Sequence, residues 1–181
     1  MEREALKAAF ADNTLCAYGL WRGHAKAGFI MESRYRATVL LAEDDPDDVL
    51  LTQIAFEKAR LANPLMVVRD GEEVISYLKG EGIYADRQAC PLPILLLLDL
   101  KMPKINGFQV LEWLQRQPEL SRMPVAIMTS SDSDPDVSRA YELGASSYLV
   151  KPPDAEALLG LVQRLHAYWL IVAEKSLSMA A

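Results

Sequence analysis

Six polar residues directly follow apolar runs in this chain. Glu43 and Asp44 follow Val39-Leu40-Leu41-Ala42, and Asp99 follows Leu95-Leu96-Leu97-Leu98. Thr129 and Ser130 follow Val125-Ala126-Ile127-Met128, and Lys151 follows Tyr148-Leu149-Val150. Three carboxylates gathered in one cleft repel one another: at about 4 Å and an effective dielectric near 20, each pair costs on the order of 4 kcal/mol. An oxygen-rich donor set without thiols suits a hard divalent cation such as Mg2+. Lys151 adds a further positive charge and Thr129 a hydroxyl donor. Cation, ammonium and hydroxyl together would neutralise the equatorial oxygens of a transferred phosphoryl group. Polar loops at strand ends would account for one acid and one lysine. They do not account for acids, hydroxyl and lysine at successive strand ends, in order.

For these groups to meet, the apolar runs must be parallel strands that share one carboxyl edge. Ile94 to Leu98 shows no alternation, the pattern of a strand covered on both faces. It ends on Asp99, and Pro103 with Asn106-Gly107 breaks the chain before the next helix. An acid there stands where open α/β sheets place their chemistry. Ala37 to Ala42 reads as the first strand. Pro46, Asp47 and Asp48 open a helix that runs to about residue 61, with Val49, Leu50, Ile54 and Leu61 inward. Leu65 to Val68 is a short second strand, and Asp70-Gly71 turns into a helix carrying Val74, Ile75 and Leu78. Val110, Leu111 and Leu114 mark the helix after Gly107. Pro124 to Met128 is the fourth strand. A helix near 134–143 stops at Gly144, and Ser147 to Val150 is the fifth strand. The final helix begins after Asp154 and shows Leu158, Leu161, Val162, Leu165, Trp169 and Val172 at helical spacing. Five alternations of strand and helix predict a three-layer (βα)5 doubly wound parallel sheet.

With 181 residues, 51% of them hydrophobic, the chain can bury one core with an appendage. The net charge of −6 argues against a nucleic-acid binder with a basic surface. Cys16 and Cys90 lack metal-ligand spacing, which fits a reduced, cytoplasmic protein. No apolar run approaches the roughly 20 residues of a membrane-spanning helix. Residues 1–36 are interrupted by Gly19, Gly23 and Gly28 and read as a loosely ordered extension. Met31 is a plausible alternative start. The domain is expected over 37–175, with a tail over 176–181.

Four stretches carry a family resemblance: Leu41-Ala42-Glu43-Asp44, Leu98-Asp99-Leu100-Lys101-Met102-Pro103, Met128-Thr129-Ser130, and Gly144-Ala145-Ser146-Ser147-Tyr148-Leu149-Val150-Lys151-Pro152. From about Thr38 to Val172 the chain resembles the receiver domain of two-component response regulators, the CheY-like family. The resemblance implies the flavodoxin-like strand order 2-1-3-4-5 and a phosphoacceptor role for Asp99, loaded from a histidine kinase. It implies Mg2+ held by Asp44, Asp99 and the Lys101 carbonyl, with Glu43 acting through water. Thr129, Ser130 and Lys151 would bind phosphoryl oxygens, and Tyr148 would rotate inward with Thr129 on activation. A cis Lys151–Pro152 bond is a further implication. Such a protein is not an enzyme in the ordinary sense; it catalyses only its own phosphorylation and dephosphorylation, and signals by phosphorylation-dependent protein contact.

More narrowly, Asn63-Pro64, Val68-Arg69-Asp70-Gly71, Tyr84-Ala85-Asp86 and Tyr168-Trp169-Leu170 resemble single-domain regulators that partner bacterial and cyanobacterial phytochrome kinases. Lys101 departs from the small polar residue usual there. The first thirty residues have no counterpart. The apolar, aromatic end of the last helix, from Tyr168 onward, suggests a homodimer through the fourth helix, fifth strand and fifth helix. No nucleic-acid or membrane partner is expected.

Other readings fare worse. A haloacid-dehalogenase-type phosphotransferase needs a second acid two residues after the nucleophile, where Lys101 stands. A dinucleotide site needs a glycine-rich turn after the first strand, where Glu43-Asp44-Asp45-Pro46 offers none. A degenerate receiver, used only as a constitutive interaction module, would normally have lost Asp99, Lys151 or the acidic pair; all are present.

Overall fold

A computed structural model describes residues 38–120 and 122–165. The extension expected over 1–36, the tail over 176–181, and Tyr168, Trp169 and Val172 lie outside the described residues.

Five parallel strands form one sheet: β1 (Val39–Ala42), β2 (Leu65–Val68), β3 (Leu95–Leu98), β4 (Val125–Thr129) and β5 (Ser147–Val150). Their order is β2-β1-β3-β4-β5, as the resemblance implies. The helices are α1 (Pro46–Lys58), α2 (Gly71–Lys79), α3 (Gly107–Leu114) and α4 (Asp134–Glu142), with α5 over 155–165.

The unbroken apolar runs follow from burial on both faces. Leu40, Leu96, Leu98 and Ile127 pack with Val74 and Leu78 of α2, Val110 and Leu111 of α3, and Ala140 of α4. Their strand neighbours Leu41, Leu95, Leu97, Ala126 and Met128 point the other way. They pack with Val49, Ala55 and Phe56 of α1 and Leu158 and Val162 of α5. Successive strand residues alternate faces, and both faces are covered, so no polar position is tolerated between them.

Helix ends are written locally. Asp45 caps α1, its side chain accepting from the Asp47 and Asp48 N–H groups. This helix stops at Lys58, short of the expected residue 61, where Arg60 takes a left-handed φ of 56°. Asn106 and Gln109 form a reciprocal capping box on α3. Beyond α4, Gly144 has a φ of 91°, the conformation that ends helices at glycine.

Register then aligns the carboxyl ends. Ala42 lies level with Leu98, Leu98 with Ile127, and Thr129 with Val150. Chain leaving β1 goes to the α1 face, and chain leaving β3 goes to the α3 face. The crevice between those two exits is the switch point where doubly wound sheets bind ligands.

Candidate functional site

Glu43, Asp44 and Asp99 meet in this crevice. The Asp99 N–H donates to the Ala42 carbonyl at 3.0 Å, extending the β1–β3 ladder by one residue and setting the acids side by side. One carboxylate oxygen from each lies within 4.8 Å of the other two. Glu43 and Asp99 are buried, whereas Asp44 is exposed at the mouth. Three hard oxygen donors at this spacing fit a divalent cation. Lys101, two residues beyond Asp99, has an exposed side chain.

Asp99 is further fixed by its own loop, its Oδ1 accepting from the Leu100 N–H at 2.7 Å. Gly107 crosses close behind it and donates its N–H to the Leu100 carbonyl at 3.1 Å. A Cβ at Gly107 would collide with the Asp99 carbonyl oxygen and the Leu100 Cα. Only glycine lets α3 start this near the acid.

Lys151 enters from β5, its backbone N–H donating to the Thr129 carbonyl at 2.8 Å. Its Nζ lies 2.5 Å from Glu43 Oε2, 2.8 Å from Asp48 Oδ2 and 3.4 Å from Asp99 Oδ2. Burial opposes the ammonium charge, but Asp48, Glu43 and Asp99 outweigh it and hold Lys151 above the ordinary lysine range. Burial pushes the Glu43 carboxyl up to about 7; the Lys151 bond opposes this, and the Asp99 charge adds to it.

Thr129 is fully buried at the end of β4, Ser130 next to it is exposed, and the Ser131 N–H donates to Thr129 Oγ1 at 3.5 Å. Tyr148 is half-buried against the α3–α4 side of the core, and its hydroxyl donates to the Ser131 carbonyl at 3.0 Å. Ser131 Oγ in turn donates to Asp136 Oδ2 at 2.6 Å. Bonds from Ser131 and Ser133 hold the Asp136 carboxyl below its ordinary range, and the Lys101 charge adds to this.

Of the residues found in sequence, Glu43, Asp44, Asp99 and Lys151 thus meet in one crevice, while Thr129 and Ser130 end β4 at the same sheet edge and Tyr148 lies on the neighbouring β5. One expectation is corrected. The Lys151–Pro152 bond is trans, for no cis peptide bond occurs among the described residues. Trans is the lower form of an X–Pro bond by about 0.5–1 kcal/mol, and the long lysine stem reaches Asp99 without a reversal of the backbone. Sequence reasoning missed two residues. Asp48 read only as a first-turn helix acid, and Ser131 was given no role. Nothing local distinguishes either; their partners come from β5 and α4.

Comparison with known proteins adds an independent line. The family model described as response regulator receiver domain matches residues 39–163. Response regulator Rcp1 of Synechocystis is 34% identical over 77% of this chain and 92% of its own length. Its Mn2+-bound crystal structure superposes with a TM-score of 0.67, at 34% identity over 74% of this chain and 94% of that one. The phosphorylated cyanobacterial phytochrome response regulator RcpA gives a TM-score of 0.69 at 32% identity, covering 75% of this chain and 94% of that one. The bacteriophytochrome response regulator AtBRR gives 0.59 at 40% identity, covering 69% and 93%.

Proposed function

The chain belongs to the response regulator receiver domain family, and we propose that Asp99 is its phosphoacceptor, loaded by a histidine kinase in a two-component relay. One observation carries this: the Asp99 carboxylate shares its pocket with Glu43 and Asp44 within 4.8 Å while the Lys151 ammonium stands 3.4 Å away. Asp44, Asp99 and the Lys101 carbonyl would hold Mg2+, with Glu43 acting through water. The cation supplies charge neutralisation for the incoming phosphoryl group. The chain's own groups do the rest. Lys151 and Thr129, with Ser130, bind phosphoryl oxygens, and the Leu100 N–H keeps Asp99 Oδ1 oriented. Drawing Thr129 toward the phosphoryl group would disturb the Ser131 carbonyl that Tyr148 holds, so Tyr148 reports the change to the β5 surface.

The kinase we assign is of phytochrome type, a reading supported by the names of RcpA and AtBRR. We place the protein in the cytoplasm, acting through protein contact rather than turnover of an external substrate. The output surface is a homodimer through α4, β5 and α5, supported by Tyr141 and Val150, which are 51% and 46% exposed there. The constitutive-module alternative finds no support in a site whose acids and lysine all converge.

Incubation with acetyl phosphate and Mg2+ tests the assignment. An acid-stable, base-labile phosphoryl group is expected on the parent and not on Asp99→Asn. Equal labelling of the variant would refute the acceptor. Sedimentation with and without beryllofluoride tests the dimer; a protein monomeric in both states at tens of micromolar would exclude it.

A further inference from the structure

Lys151 has one more acid around it than phosphoryl binding requires. Glu43 and Asp99 belong to the cation pocket. Asp48 does not: it sits in the first turn of α1, and its carboxylate accepts a 2.8 Å bond from Lys151 across 103 residues of sequence. That bond is shorter than the 3.4 Å bond from Lys151 to Asp99. Asp48 is held independently of the pocket, since its backbone N–H donates to Asp45 Oδ1 within the helix cap. The Lys151 side chain is 13% exposed and that of Asp48 39%, so the pair is partly shielded from water.

Taking Asp99 as the phosphoacceptor, we propose that Asp48 is a positioning residue that holds the Lys151 ammonium on the α1 side of the crevice and competes with the phosphoryl group for it. A dication among Glu43, Asp44 and Asp99 repels the ammonium from two of its three acids. Asp48 is the carboxylate left outside the cation pocket, close enough to retain Lys151 there. Phosphoryl oxygens arriving on Asp99 draw the Lys151 ammonium toward that side of the crevice, in exchange for a longer and weaker bond to Asp48. The free energy of that exchange sets how tightly the activated state is held. Asp48 thereby tunes the receiver's switching threshold without touching phosphate or metal.

The test uses beryllofluoride at saturating Mg2+, with affinity read by calorimetry on the parent, Asp48→Asn, Asp48→Glu, Lys151→Ala and the Asp48→Asn/Lys151→Ala double variant. Asp48→Asn is expected to bind about three- to tenfold more tightly, the range for losing one partly exposed charged hydrogen bond. Asp48→Glu, which keeps the carboxylate, should return toward the parent. In the Lys151→Ala background the Asp48 substitution should change nothing, as a coupled pair requires. Should Asp48→Asn fold poorly, Asp48→Ser serves in the same cycle. Affinity equal to or weaker than the parent overturns the inference, as does an equal gain without Lys151 or a glutamate variant that matches the asparagine one. If the parent itself binds no beryllofluoride, the acceptor assignment falls and this inference with it. A parent that binds beside an unchanged Asp48→Asn overturns the inference alone.

Discussion

Lys104 Nζ lies 2.6 Å from the carboxylate of Asp70, joining the loop that follows Asp99 to the residue that caps α2. The two segments are also tied through the backbone, the Gly71 N–H donating to the Ile105 carbonyl at 3.1 Å. Asp70 is 5% exposed and also caps α2 through the Glu73 N–H at 2.8 Å. Lys104 takes a φ of 59°, a left-handed conformation rare outside glycine, asparagine and aspartate. The loop that follows Asp99 is therefore fastened on both sides, to α2 by this pair and to α3 by Gly107.

Replacing Asp70 by Ala should cost about 1–2 kcal/mol through the lost cap, a fall in melting temperature of roughly 3–8 °C for a domain of this size. The pH dependence has a definite sign. Burial would raise the Asp70 carboxyl, but Lys104 and the Glu73 N–H outweigh it and hold it below its ordinary 3.8. The folded protein thus binds this proton less readily than the unfolded chain. Its contribution is fully present above pH 3.8 and is lost as pH falls through the depressed folded value. Melting temperatures of the parent and Asp70→Asn should converge only in that acid range; a gap that stays constant down to pH 2–3 would contradict the pairing.

Mg2+ should raise the melting temperature, because a cation bound to the folded crevice and not to the unfolded chain stabilises by RT ln(1 + [L]/Kd), about 2.7 kcal/mol at 100-fold excess over Kd. Chelation should reverse the gain. Asp44→Asn, which alters the exposed member of the acid cluster, should abolish most of it. A gain that survives in Asp44→Asn would place the cation elsewhere.

Gly107→Ala should be far more damaging than glycine-to-alanine changes usually are. The added methyl meets backbone, the Asp99 carbonyl oxygen and Leu100 Cα, which cannot swing aside. We expect at least about 1–3 kcal/mol of destabilisation, in the range for overpacking, with slower labelling by acetyl phosphate. Unchanged melting and labelling would mean that α3 can shift freely.

Arg87 should be the residue that secures the α2–β3 connection. Its guanidinium donates to the carbonyls of Tyr77 at 2.8 Å, Leu78 at 2.6 Å and Cys90 at 3.2 Å, closing the carboxyl end of α2. Charged donors are favoured at that end of a helix. Arg87→Ala is expected to cost about 2 kcal/mol, whereas Arg87→Lys should recover only part, since one ammonium does not reproduce the fork. Faster amide exchange over 77–90 in Arg87→Ala would identify the segment released, and unaltered exchange would refute the role.

Much of this protein could be read from residue order alone. Ile94 to Leu98 lacks alternation because both its faces are covered, and that single pattern already demands helices on each side of the sheet. Pro46, the Asn106-Gly107 pair and Gly144 announce helix ends because the signals that start and stop a helix act within one to four residues. Glu43, Asp44, Asp99, Thr129 and Lys151 were legible as a group because parallel strands of similar length bring their carboxyl ends to one edge. What tertiary structure decided was the choice among partners. Lys151 stands nearer Glu43 and Asp48 than Asp99, Lys104 chooses Asp70, and Arg87 chooses backbone carbonyls. These are contacts between side chains on different elements, and ångström-scale differences in where those elements pack determine them. Local sequence carries periodicity and capping, which act within a turn or two; it carries no record of which of several like charges will lie nearest once the sheet has closed.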